Sequence, residues 1–126
     1  MTTPQDLAQS FADAVVAGDW AGADALSTAD LRTRLGAAGL ERAWNEVASV
    51  LVADVPGWRP RKANVSPMPN APDPRFVKTA APAATWRAYL YLAFESPEGE
   101  LACGHVLVVD DGGRLAIGHA DFEVFC

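Results

Sequence analysis

An α+β domain is what this sequence predicts, and three observations predict it. Apolar residues recur at helical spacing through the first 55 residues, seven of the nine prolines then fall between 56 and 82, and from residue 85 apolar and polar residues alternate with strand period. A chain of 126 residues and 13.3 kDa has room for one domain, 1–126. A domain of that size can bury a core without a metal or a disulfide.

The elements follow in order. Leu7, Phe11, Ala14 and Val15 lie on one helical stripe, with Pro4 where its missing N–H costs nothing and Gly18 as the stop. Asp19 can cap a short second helix carrying Trp20, Ala23 and Leu26. Ser27 with Asp30 resembles a capping box opening a third stretch, which Gly36 and Gly39 should interrupt. Leu40, Trp44, Val47 and Leu51 then form one apolar stripe, with Glu41, Arg42, Asn45 and Glu46 facing away.

The prolines rule out helix after residue 56 and leave Arg61 to Ser66 as an edge strand. Residues 67–83 read as a Pro-rich irregular loop, the most mobile part of the chain and a flap over any ligand site, with a short extended piece at Phe76 to Thr79. From Thr85, Trp86, Ala88, Leu90, Leu92 and Phe94 share one strand face; Arg87, Tyr89, Tyr91 and Glu95 share the other. Leu101 to Asp110 and Leu115 to Phe125 are two further strands, joined by the hairpin signal Asp111-Gly112-Gly113-Arg114.

Helices first and a meander of strands afterwards put the helices on one face of an antiparallel sheet. Short helices cover strands of that length only if the sheet is strongly curved, which leaves a cone open at one end. The order of elements resembles the nuclear transport factor 2-like superfamily, the cystatin-like α+β roll. Three features carry the resemblance: the first helix ending in Gly18-Asp19-Trp20 before an Ala-rich second helix, the helix bearing Leu40, Trp44 and Val47, and the terminal hairpin with its acidic-Gly-Gly-Arg-Leu turn. It implies an uncharacterised bacterial or polyketide-cyclase-like branch, a small-ligand pocket in the cone, and a homodimer through the opposite sheet face. Fold alone does not settle function, since the superfamily hosts isomerases, dehydratases, cyclases, ligand binders and dimerisation modules.

Charge narrows the partners. A net charge of −6 and a pI near 4.7 argue against nucleic acid and anionic membranes. The one basic stretch, Trp58 to Lys62, reads as a solvated edge that discourages intermolecular pairing. No apolar run approaches a membrane span, and the first residues lack a signal-peptide pattern, so a cytoplasmic protein is expected. Cys103 and Cys126 are too few for a disulfide framework or a zinc site, and both are expected as reduced thiols.

Candidate chemistry concentrates near the end of the chain. His119 and Asp121 are two apart on one strand and share a face, with Glu123 continuing the row. A two-residue turn would set His119 opposite Val106 and leave His105 on the other face; a three-residue loop would bring His105 opposite His119. The sequence leaves both registers open. A His beside a carboxylate suits acid–base work, so His119 and Asp121 are the candidate catalytic pair. Phe11, Trp20, Trp44, Trp86, Leu90, His105 and Phe122 are the candidate pocket lining, and Arg87, Tyr89 and Tyr91 have the composition of a homodimer interface. No metal or cofactor motif, nucleophile elbow or phosphate loop is present. The expected function is a non-catalytic small-ligand-binding or dimerisation module, the ligand small and apolar. The alternative is a cofactor-free isomerase, dehydratase or cyclase using His119 and Asp121.

Overall fold

The computed structural model describes residues 2–126. Helix α1 spans Pro4–Ala17 and opens on a capping box in which Thr3 and Asp6 satisfy each other's backbone amides. Helix α2 spans Trp20–Ala25 behind Asp19, whose carboxylate accepts from the Gly22 amide. Helix α3 spans Ala29–Arg34, and its cap is Thr28 rather than Ser27. Ser27 is displaced from that role because it bridges to Ile117 and bonds back to the Ala23 carbonyl. Helix α4 spans Gly36–Asp54 and runs through Gly39 without interruption. Burial of Leu40, Trp44, Val47 and Leu51 along one stripe outweighs the cost of about 1 kcal/mol that a helical glycine carries.

The second half forms β1 (Lys62–Pro67), one turn of 3-10 helix (Ala83–Thr85), β2 (Trp86–Ser96), β3 (Gly99–Asp111) and β4 (Arg114–Val124). The strands make one antiparallel sheet in the order β1-β2-β3-β4, so β1 and β4 are its edges. The hairpin turns on Gly112 and Gly113 alone, both at positive φ, and Asp110 accepts from the Gly113 amide. The α+β layering is as expected. The sheet is neither closed nor strongly curled, and a cone does not appear in it.

The core lies between the helices and one sheet face. Phe11, Leu40, Leu51, Leu92, Phe94, Val106 and Ile117 are fully buried there. Trp44 stands edge-on to Phe94 and Phe122, with ring centroids 4.8 and 5.4 Å away. Phe11, Leu90 and Trp44, expected to line a pocket, are thus core packing, and Trp20 packs half-buried against the same cluster.

The outer sheet face carries a second, smaller cluster. Residues 68–82 cross it as a strap, with Val77 buried against Leu107 and Val109 and flanked by Ala81, Trp86 and Tyr89. The Pro-rich segment is anchored on the sheet at Val77 while most of its other residues are exposed, and Phe76 to Thr79 is not a strand. A bulge between Trp86 and Ala88 moves Trp86 off the core face, and its indole N–H donates to the Ala81 carbonyl. Cys103 and Cys126, expected as thiols, are joined by a disulfide on this outer face. Phe125 adopts a positive φ of 54°, which turns the chain back so that Cys126 reaches β3.

Candidate functional site

Strand β4 brings the site together through one irregularity. The hairpin starts in the two-residue register, Asp111 opposite Arg114, then shifts at Gly118 so that His119 faces Leu107 and Asp121 faces His105. Neither simple register produces this pairing. The shift turns His105, His119 and Asp121 to the same outer face, because one extra residue reverses which side chains share a side. Gly118 suits the position, since a Cβ would come to 3.0 Å from Val109 and 3.3 Å from Thr79 of the strap and make them give way.

The Asp121 carboxylate sits between two imidazoles. His105 Nδ1–H donates to Oδ1 and His119 Nε2–H donates to Oδ2, each at 2.9 Å. The Lys78 backbone N–H, from the strap, donates to His119 Nδ1 at 3.1 Å. A ring nitrogen that accepts carries no proton, so His119 is held as the neutral Nε2–H tautomer. Both its nitrogens are engaged and its side chain is only 8% exposed. His105 uses only Nδ1, and Nε2 has no partner among the described residues.

Burial pushes the Asp121 carboxyl up, but the hydrogen bonds from His105 and His119 outweigh it and hold the group at about 2. The hydrogen bond to Asp121 raises His105 above its ordinary value, against the opposing effect of burial. Tyr89 stacks on His105 with ring centroids 5.5 Å apart, and Tyr91 meets it edge-on. Burial is also the main reason that Tyr89 and Tyr91 are pushed up to about 12, so both stay protonated donors.

These groups open into a cleft of about 790 Å³ running along the β4 edge. Leu31, Leu35 and Val47 of α3, its following turn and α4 form one wall; Phe76 and Lys78 of the strap stand opposite. Residues 119–123 of β4 all line it, side chains from both sheet faces together, so the cleft follows the strand's edge rather than either face.

No family model, curated protein or solved structure matches the chain.

The expected site residues therefore divide. His105, His119, Asp121 and Phe122 meet in the cleft; Phe11, Trp20, Trp44, Trp86 and Leu90 do not line it. Of the expected interface row, Arg87 pairs with Asp110, Tyr91 donates to Glu100, and Tyr89 is taken up by His105 and the strap. No group of three His, Cys, Asp or Glu among the described residues is arranged to hold a metal ion. Sequence reasoning missed Lys78 and Phe76, which arrive on the strap, and the apolar wall from Leu31, Leu35 and Val47. The lone glycine before His119 is the one local signal of the bulge that a reader could have used.

Proposed function

We propose that this chain is a small-ligand-binding domain, and that its ligand lies in the cleft beside β4 with His105 Nε2 as the polar contact. The observation that carries the reading is the combination of an apolar wall with one unpartnered imidazole nitrogen, fixed from behind by Asp121 and flanked by Tyr89. The likeness in element order to the nuclear transport factor 2-like superfamily supports it at the level of architecture. Homodimerisation through Arg87, Tyr89 and Tyr91 has less support, because each side chain already has an intramolecular partner.

The test is a titration with small aryl ketones, followed by amide and imidazole resonances. Shifts should cluster at Tyr89, His105 and Phe122, and His105→Ala should weaken binding about tenfold, the loss of one hydrogen bond. Shifts scattered elsewhere, with these three unmoved, would remove the reading.

One observation favours a catalytic alternative: an Asp-oriented imidazole with an open nitrogen is the arrangement of a general base. In that reading the proton-transferring residue is His105. His119, with both nitrogens occupied, positions the carboxylate and the strap. Turnover of an enolisable carbonyl compound that vanishes in His105→Ala would support it, and inertness toward such compounds would leave the binding reading alone.

A further inference from the structure

We infer that the cleft takes an extended peptide, which adds antiparallel to the free edge of β4 with a basic residue toward its N-terminal end and an acidic one toward its C-terminal end. This rests on the cleft reading above and names the class of its ligand.

The fold treats its two sheet edges differently. On β1 the edge is short, ends in Pro67, and has its Ala63 and Val65 carbonyls capped by the side-chain amides of Gln9 and Gln5 from α1. The start of β4 is likewise covered: Ile117 donates to the Leu26 carbonyl and accepts from the Thr28 amide, in a parallel bridge to Ser27. Beyond the bulge the cover stops. The Phe125 amide donates inward to Leu101, so the alternation of an antiparallel ladder turns the main-chain groups of Ala120 and Phe122 outward. These have no partner across the cleft among the described residues. The guards on that stretch are few: residues 119–123 contain neither proline nor lysine, and of their two carboxylates Asp121 is engaged by His105 and His119, which leaves Glu123 and the bulge itself.

The walls select a single strand. With α4 on one side and the strap on the other, the edge lies within a cleft, a shape that suits a single extended chain. An added strand would place alternate side chains toward Val47 and Phe122 and the others toward His105 and Tyr89. For that antiparallel sense, charge sets the end residues. Lys78, bonded through its backbone to His119, lies at the upstream end, and Glu46 shares the downstream end with Glu123. An antiparallel peptide begins beside Glu46 and Glu123 and finishes beside Lys78, so complementarity asks for base first and acid last.

The experiment uses the capped peptide Ac-Lys-Val-Thr-Val-Thr-Val-Glu-NH2 and two N-methylated forms, each blocking the amides along one of its edges. Binding should shift the Ala120 and Phe122 amides, and one N-methylated form should bind about tenfold more weakly while the other matches the parent. Glu46→Lys, a change at an exposed position of α4, should weaken the preference for this peptide over its charge-reversed counterpart, since Glu123 and Lys78 remain. Equal binding of both N-methylated forms, or unmoved Ala120 and Phe122 amides, would overturn the inference. So would sedimentation showing a dimer whose formation moves those same amides, since the occupant would then be a second copy. If the peptide fails while aryl ketones still shift His105 and Phe122, the peptide inference falls and the cleft reading stands; if both fail, so do both readings.

Discussion

Asp121 divides its two oxygens between two histidines, and that division decides what each ring can do. Its carboxyl, held at about 2 against an ordinary 3.8, contributes stability that is complete above 3.8 and lost as pH falls through about 2. His105 is raised, so its contribution is complete below its ordinary 6.5 and lost as pH climbs through the higher folded value. The pair is strongest between those limits. Asp121→Asn should cost about 1–3 kcal/mol, because one or both imidazole N–H groups lose their acceptor. It should also flatten the acid limb of a stability curve and lower the His105 titration midpoint, read by proton NMR. Sequence alone put His119 beside Asp121 from a spacing of two residues. It did not reveal that His119 is spent on the strap and that His105 holds the open nitrogen. Those facts depend on a bulge and on a partner 41 residues away, which local periodicity does not encode.

At the scale of elements, the strap is held by alternate grips. His119 accepts from the Lys78 amide, Asp30 of α3 accepts from the Ala80 amide, and Val77, one residue before Lys78, is buried against Leu107 and Val109 on the outer face. Phe76, just before these grips, is 71% exposed. Trypsin should therefore cut after Arg75 well before it cuts after Lys78. His119→Ala should narrow that difference, since it frees the Lys78 amide, and peptide mapping of early digests would show it. Val77→Ser should destabilise by about 2 kcal/mol through lost apolar burial. Equal early cutting at both sites in the unaltered protein would mean that the strap does not hold. Helices and strands were legible because each carries its own period. The strap was legible only as something other than a strand, because prolines say where ladder bonds are absent and not which surface a chain packs on. The same limit displaced Trp86: a perfect alternation predicts its face, and a one-residue bulge reverses it.

For the whole molecule, the disulfide between Cys103 and Cys126 spans 23 residues and ties the end of the chain to β3, two residues from His105. Reduction should lower stability by roughly 2–4 kcal/mol, and should release the turn at Phe125. Thermal unfolding with and without a reducing dithiol checks the first part. A count of reactive thiols in protein purified without reductant tests whether the bond forms in its own compartment. Such bonds persist where the surroundings are oxidising, which sets the expected cytoplasmic location against this feature. No helix among the described residues is long and apolar enough to cross a membrane. Cysteine count and spacing gave no hint of the bond, because the pairing depends on the positive φ of Phe125.

The glutamine caps on β1 also work as a gauge. Gln5 and Gln9 are one α-helical repeat of four apart, about 6.0 Å along the axis. The carbonyls they reach, on Val65 and Ala63, are one strand repeat of two apart, about 6.6 Å. Two rulers of different pitch thus agree at two marks, and they agree in only one relative setting of α1 and β1. Inserting a single alanine between Gln5 and Gln9 would break the coincidence and swing one amide about 100° around the helix. The helix would still form and still have an apolar stripe, yet it would dock out of step, leaving one carbonyl of the β1 edge bare and ready to pair with another molecule.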